Sequence, residues 1–478
     1  MQAGGDSLAV PLSGPAPALS PTADSAYRQL RRGGALFGVT QVVGMALGFL
    51  SGMMMVRVAG QRDVASYMLL QQAILSVSLV LQLGLGPAAL RFAPISRGRG
   101  GERATALLRR RLLSLQITLW TLVVPLLALS WPWIAAKLDA PELARATPFL
   151  LSAAMLISLG NLFDSYLRAF RMYALSAPLT HLVPRGLILG GFAGLWATAS
   201  GKVSWEVLAA VYGLALLVTA IGYAFALTAT TEEETSEPRA ATSPPLMREI
   251  LSTSTAMGLR SAASVLYVSS SLWILSWARP HEEVAVYGVA ATLLQILAAI
   301  PGMAGFVIPQ EFSLLYADGR KAEMERLART ASTFVAGLSL VSLLGLLLFG
   351  HLLIRIAYGS PYVGAWSILM ILAVGSFWDT ASGGAGYVLQ MTGHHTRLLL
   401  LTLGGGLLNM ALSFVLAPLW GGLGIAIATT LTLITFNLAT VSTVKRLLGV
   451  RTFVYGKPSE WLDTLRWVVT GKKGRNSR

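Results

Sequence analysis

Cysteine is absent from the 478 residues of this sequence, and charged residues are scarce. Without cysteine the chain has no disulfide framework, no thiolate nucleophile and no cysteine-ligated metal or iron–sulfur site. Only 12% of the residues are charged and 54% are hydrophobic, and the mean hydropathy is +0.63. Such a composition does not cover a water-exposed surface, so a soluble protein is excluded.

Apolar runs follow one another along the chain, each long enough to cross a hydrocarbon core about 30 Å thick as a helix. About twelve are present, and they leave too little chain for a soluble catalytic domain. The expected spans are 34–55, 66–88, 112–136, 147–168, 177–197, 206–228, 251–277, 284–309, 331–356, 365–390, 398–419 and 422–444. We therefore expect an all-α polytopic membrane protein.

Lysine and arginine are distributed unevenly between the two sides of this predicted topology. With the N-terminus inside, the inner segments hold 28 of the 37 basic residues and the outer loops hold 7, while Arg185 and Arg260 lie within spans. Basic residues collect on the cytoplasmic side, so both termini are predicted to be cytoplasmic. The formal net charge of +15 is then explained by topology and attraction to anionic lipid, and no nucleic-acid partner is expected.

The two halves of the chain are related at an offset of 220 residues, since Asp63–Tyr67 (DVASY) matches Glu283–Tyr287 (EVAVY). Six spans per half is an even number, so the halves are parallel repeats. We predict two six-helix lobes around a central cavity. The expected boundaries are a disordered cytoplasmic tail at 1–33, lobes at 34–228 and 251–445, a cytoplasmic linker at 229–250, and a cytoplasmic tail at 446–478 with an amphipathic interfacial segment.

Three glycines, Gly44, Gly48 and Gly52, repeat at four-residue spacing in the first span. Small residues at this spacing let a neighbouring helix approach closely. Tight helix packing is the first interpretation, and a bending point in a moving helix is the second.

Two stretches carry glycine-rich motifs, one in each half of the chain. They comprise Val58-Ala59-Gly60, Ser66-Tyr67, Gly84-Leu85-Gly86 and Ala88 to Ala93 in the first, and Leu389 to Gly393, Leu408-Asn409 and Ala417 to Thr429 in the second. These motifs resemble the polysaccharide (O-antigen type) flippases of the multidrug/oligosaccharidyl-lipid/polysaccharide exporter superfamily. One departure is Ser269-Ser270-Ser271, where that family often carries an acidic residue.

The resemblance implies an alternating-access transporter that flips an undecaprenyl-diphosphate-linked oligosaccharide repeat unit from the inner to the outer leaflet of the bacterial cytoplasmic membrane. Its expected partners are this lipid-linked oligosaccharide, membrane lipids and a polysaccharide polymerase. No cofactor is expected, and the expected driving force is H⁺, Na⁺ or the membrane potential. The alternative is an ion-coupled exporter of drugs or small cations with the same fold. Short outer loops and the lack of a D-x-D motif argue against an enzyme.

Arginines within spans are the candidate substrate ligands. An embedded charge costs on the order of 2.5–3.5 kcal/mol, so it requires a partner or a wet cavity. Guanidinium groups bind phosphate oxygens bidentately, which makes Arg185 and Arg260 candidates for the diphosphate, joined by Arg57 just past the outer end of the first span. The alternative is an internal salt bridge in each lobe.

Two embedded acids, Asp164 and Asp379, are candidates for the cavity or for ion coupling. Asp164 lies close to Arg168 at the inner end of its span, which favours a structural ion pair. Asp379 lies near the middle of the span 365–390, which favours a cavity position. None of the five histidines has metal-ligand spacing, so no metal site is expected.

Overall fold

The computed structural model describes residues 23–137, 141–170, 172–229, 269–295, 318–455 and 461, together with isolated positions between 247 and 263 and at 312, 315 and 316. Within these residues nearly every segment is helical, and the one β-type pairing is a parallel bridge between Ala59 and Val203.

The first half of the chain forms a series of helices joined by short turns. They are α1 (Ala23–Val58), α2 (Gln61–Gln82), α3 (Leu85–Lys137), α4 (Pro141–Arg145), α5 (Thr147–Ala169), α6 (Tyr173–His181), α7 (Val183–Thr198) and α8 (Trp205–Ala229). Helix α1 begins at Ala23, which corrects the prediction that 1–33 is a disordered tail, because the residues from Ala23 onward are mostly good helix formers.

Two of the predicted spans differ in detail from the observed helices. The span 66–88 ends early, at Gln82, because Leu83 and Gly84 adopt left-handed conformations with φ of 40° and 73°. The span 177–197 is divided into α6 and α7 at Leu182, because Pro184 has no N–H to continue the helical hydrogen bonds.

The second half contains α9 (Ser270–Ala278), helical residues 281–295, α10 (Lys321–Ala357), a 3₁₀ turn (Ser360–Tyr362), α11 (Ala365–Ala381), α12 (Ala385–Met391) and α13 (His395–Leu448). Helices α11 and α12 meet at a 44° bend and together correspond to the span 365–390. Helix α13 has a non-helical residue, Gly421, with φ 57° and ψ −134°. This kink separates the two predicted spans 398–419 and 422–444.

The prediction of a polytopic all-α membrane protein is confirmed. In the described part of the chain, seven helices are long and apolar enough to cross a membrane, or eight if the bent pair α11–α12 is one span. Helical residues are present in each of the twelve predicted spans.

The parallel repeat is visible in the contacts of its two acidic residues. The Asp63 carboxylate accepts a hydrogen bond of 3.0 Å from the backbone N–H of Trp205 at the start of α8. In the second half Glu283 packs against Gly421, where the last part of α13 begins, so closely that a Cβ atom on Gly421 would collide with its carboxylate. Each acid therefore lies beside the N-terminal end of the last helix of its own lobe.

The two lobes touch near the connection between α1 and α2 and the connection between α10 and α11. The rings of Phe49 and Tyr358 pack edge to face, 5.9 Å apart, and the Gln61 side chain donates a hydrogen bond of 3.3 Å to the Pro361 carbonyl. A Cβ atom on Gly52 would lie 3.1 Å from the Tyr358 hydroxyl. One end of α1 is thus fixed against the second lobe.

Candidate substrate and ion site

Arg185, in the first turn of α7, is half-buried and extends across α1. Its Nη1 lies 3.5 Å from Nδ1 of His181 and donates a hydrogen bond of 3.4 Å to the His181 carbonyl. Among the described residues no carboxylate lies within ion-pair distance of this guanidinium. Neutral groups therefore hold the side chain in place, and its charge lacks a protein counter-ion within this part of the chain.

The glycines of α1 provide the space that Arg185 occupies. A Cβ atom on Gly44 would lie 2.5 Å from the His181 carbonyl oxygen and 2.7 Å from Nη1 of Arg185. A Cβ atom on Gly48 would lie 3.7 Å from Cδ of Arg185, which is ordinary contact. The packing interpretation of the glycine stripe is thus confirmed. Gly44 packs against the backbone at the end of α6 and against Arg185, and Gly48 packs against Arg185.

Asp164 is buried in α5 and fully engaged. Its Oδ2 lies 2.8 Å from Nε of Arg168, which follows it by one helical turn, and the two form an ion pair. Three hydroxyl groups donate hydrogen bonds to its Oδ1: Ser176 at 2.5 Å, Thr180 at 2.8 Å and Tyr223 at 3.4 Å. The internal salt bridge proposed for the first lobe would need this carboxylate beside Arg185, but the carboxylate is paired with Arg168.

Asp379 has a different environment, two residues before the end of α11. Its side chain is solvent-exposed. The amide of Asn437 donates a hydrogen bond of 2.9 Å to its Oδ1, and no cationic side chain of the described residues pairs with it. Arg260, predicted as its partner or as a diphosphate ligand, lies outside the described residues.

Ser382 and Asn437 are neutral residues that sequence reasoning missed at this acid. The Ser382 hydroxyl lies 2.6 Å from the Asp379 carbonyl and 3.0 Å from the Asn437 Oδ1, and its single proton serves one of these two acceptors at a time. The Asn437 NH₂ group donates to the Asp379 carboxylate and to the Leu433 carbonyl. An asparagine in an apolar span is a signal comparable to an ionisable residue, because its amide also needs partners in a membrane.

Arg57 is exposed in the last turn of α1. Its backbone carbonyl accepts a hydrogen bond of 2.6 Å from Nζ of Lys202. At 1.5 Å per residue it lies roughly 14 Å beyond Gly48 along the helix axis. The fold therefore does not bring Arg57 together with the Arg185 guanidinium.

The serines that replace an expected acid lie in a neutral hydrogen-bonded cluster. The Asn409 amide lies 3.4 Å from the hydroxyl of Ser270 and 3.3 Å from that of Ser271, to both of which it donates. The Ser271 and Thr429 hydroxyls are 3.3 Å apart. Within the described residues no group of three histidine, aspartate or glutamate side chains could hold a metal ion.

A family model described as "Polysaccharide biosynthesis protein" matches residues 30–309, more than half of the chain. The chain belongs to this family. The resemblance inferred from the glycine-rich motifs is thereby confirmed. A search of curated proteins finds no match.

Solved structures with the same fold are transporters. An inward-facing multidrug resistance MATE family transporter of the MOP superfamily has a TM-score of 0.69 and 17% identity, covering 87% of this chain and 99% of its own. The lipid II flippase MurJ, in an inward closed conformation, has a TM-score of 0.69 and 12% identity, covering 91% of each chain. A MOP superfamily transporter from Pyrococcus furiosus has a TM-score of 0.63 and 17% identity, covering 87% and 95%. The two-lobe fold of this superfamily is therefore the fold of this protein.

Proposed function

We propose that this protein is an alternating-access flippase that moves an undecaprenyl-diphosphate-linked oligosaccharide repeat unit from the inner to the outer leaflet of the bacterial cytoplasmic membrane. Membership of the polysaccharide biosynthesis family and the fold shared with a lipid II flippase support this function. The observation that carries it is the half-buried Arg185 guanidinium, held across α1 by neutral groups.

A cation in this position favours an anionic ligand. An embedded arginine costs several kcal/mol unless a counter-ion or water compensates it, and the carboxylate of the same lobe is already paired with Arg168. A diphosphate offers several oxygens to the planar guanidinium fork. We assign Arg185 to the first lobe's contact with the lipid diphosphate and Arg260 to the second lobe's contact, with Arg57 as a weaker candidate at the membrane boundary.

Asp379 is the proposed site of ion coupling. Its exposed carboxylate accepts one amide hydrogen bond and has no cationic partner among the described residues, and a carboxylate in that situation binds a proton or a small cation when one is supplied. Asp164 has a weaker claim, because a cation and three hydroxyls already satisfy it. The driving force is thus H⁺, Na⁺ or the membrane potential acting on the second lobe.

The proposed membrane orientation and partner fit the same lipid-linked substrate. Both termini lie in the cytoplasm, as the basic residues indicate, and the flipped repeat unit is handed to a polysaccharide polymerase at the outer leaflet. The protein acts as a transporter, with no cofactor and no covalent chemistry of its own.

An ion-coupled exporter of drugs or small cations is the second candidate, favoured by the fold shared with a multidrug resistance transporter. Such an exporter would have to hold a cationic substrate near Asp379 and away from Arg185. The two functions therefore differ in the charge of the ligand that Arg185 binds or repels.

The experiment compares Arg185→Ala and Arg185→Lys with Arg355→Ala, which removes an exposed arginine in the last turn of α10. Loss of a charge-assisted fork should weaken binding of undecaprenyl diphosphate to the purified protein by about 10- to 150-fold. The lysine variant should recover part of this, because a point charge cannot form the fork. Wild-type affinity and export in Arg185→Ala would refute the assignment, and tighter binding of a cationic drug would support the alternative.

A further inference from the structure

Residues 450–455 fold back from the end of α13 and lodge between α10 and α11. We call this segment the C-terminal strap. Its backbone N–H groups are donors at three positions: Arg451 to the Glu325 carboxylate at 3.0 Å, Val454 to the Ala381 carbonyl at 3.1 Å, and Tyr455 to the Thr333 hydroxyl at 3.1 Å. The Phe453 ring packs against Trp378 with centroids 5.5 Å apart. The first residues of the predicted cytoplasmic tail 446–478 are therefore an integral part of the second lobe.

The strap fills the break between α11 and α12. Thr452 is fully buried there, and its hydroxyl donates a hydrogen bond of 2.9 Å to the Ser382 carbonyl. Its own carbonyl approaches Gly383 so closely that a Cβ atom at that position would collide with it. Gly383 also has a φ of 78°, so both the backbone conformation and the space at this position require glycine.

Hydrogen bonds at Ser382 and Asn437 connect the strap to the surroundings of Asp379. Thr452 bonds to the Ser382 carbonyl, the Ser382 hydroxyl bonds to the Asn437 side-chain oxygen, and the Asn437 amide bonds to Asp379. The strap and Asp379 are thus connected through the backbone and the side chain of Ser382.

We propose that the C-terminal strap is a latch that holds the α11–α12 break in its 44° bend and must leave this break during the transport cycle. The requirement for release during transport rests on the proposed function. Straightening the span would move α12 against a strap that is bonded to both α10 and α11, since the Ser332 hydroxyl of α10 also donates to the Thr452 carbonyl at 3.3 Å. A change in the bend would therefore have to break these hydrogen bonds.

The first test measures accessibility of the strap and needs no transport substrate. The chain has no cysteine, so Thr452→Cys introduces the only thiol, and its labelling by a small maleimide in purified protein should be slow. Adding Gly383→Ala should displace the strap and raise the labelling rate by about tenfold or more. The matched control is Gly393→Ala, which has a similar φ of 84° but no atom within 4 Å of the new Cβ; it should leave the rate unchanged.

A second variant covers the case in which Gly383→Ala fails to fold. Thr333→Val keeps the shape of the side chain and removes the acceptor for the Tyr455 N–H, so labelling of Thr452→Cys should rise by a few-fold. Equal protection of the thiol in Thr333→Val and in the background variant would overturn the latch.

The second test asks whether release is required. A cysteine pair, Glu325→Cys with Arg451→Cys, places thiols at two solvent-accessible positions that are in contact, since the Arg451 N–H donates a hydrogen bond of 3.0 Å to the Glu325 carboxylate. The pair is joined in membranes by a short reducible bifunctional thiol reagent, and each single-cysteine variant is treated in parallel. Linked protein should lose export and recover it on reduction, while the single variants keep it. Undiminished export by fully linked protein would show that the strap stays in place. If the wild type exports no lipid-linked sugar, the proposed function fails while the labelling result still decides the latch.

Discussion

Replacing Gly44 by alanine tests the contact between α1 and Arg185 directly. The new methyl group would lie 2.5 Å from the His181 carbonyl oxygen and 2.7 Å from the Arg185 guanidinium. The carbonyl belongs to the backbone at the end of α6 and cannot rotate away, so α1 and α6 must separate. Overpacking of this kind costs about 1–3 kcal/mol, and the arginine must also leave its groove.

Gly48→Ala is the matched control, because it makes the same substitution about one turn further along the same helix. Its methyl group would lie 3.7 Å from Arg185 Cδ and 3.8 Å from Nε, with no nearer contact. Alanine is favoured over glycine within a helix by about 0.5–1 kcal/mol. Gly48→Ala should therefore be neutral or slightly stabilising.

The assay is thermal unfolding of the purified variants in detergent, followed by size-exclusion chromatography, and it depends on no substrate. We expect a lower midpoint for Gly44→Ala and an unchanged or higher midpoint for Gly48→Ala. The double variant Gly44→Ala with Arg185→Ala should recover only part of the loss, because the clash with the His181 carbonyl remains. Equal midpoints for the two glycine variants would refute this account of the stripe.

Two further predictions concern the ion pair of the first lobe and the topology. Asp164→Asn should destabilise the protein by about 3 kcal/mol in the same thermal assay. This is the low end for breaking a buried ion pair, because the Arg168 side chain is 27% exposed. Glu323→Gln breaks an exposed ion pair and should change the midpoint little, and equal losses in the two variants would contradict the burial argument. A single cysteine in the linker 229–249 should react with a membrane-impermeant maleimide added from the cytoplasmic side, and a single cysteine at Pro361 should react from the outer side. Reaction of the linker cysteine from outside would show that the predicted orientation is wrong.

The positions of most spans in the described part of the chain could be predicted from the sequence, because a membrane fixes the length of an apolar helix. The parallel repeat was also detectable, since Asp63 and Glu283 serve equivalent helix ends and so keep an acidic side chain at the same offset. Pro184 and the pair Gly383-Gly384 mark the two broken spans in the sequence, although their effect on span geometry becomes clear only in the fold.

The partners of the embedded charges were less predictable. The ion pair of Asp164 with Arg168 spans one helical turn, so its spacing is visible in the sequence. The contact of Asp379 with Asn437 joins residues on different helices, and nothing in local spacing specifies it. The strap was missed for the same reason, because Thr452 reaches the α11–α12 break only after the chain reverses direction at Gly449.

The central claim is the movement of a lipid-linked oligosaccharide across the membrane, and its most direct test is a leaflet assay in cells that lack this protein. The diphosphate-linked repeat unit should accumulate on the cytoplasmic leaflet, polymer synthesis should stop, and the wild-type gene should restore both while Arg185→Ala should not. Outer-leaflet repeat units appearing at normal rates in the deletion strain would contradict the flippase function.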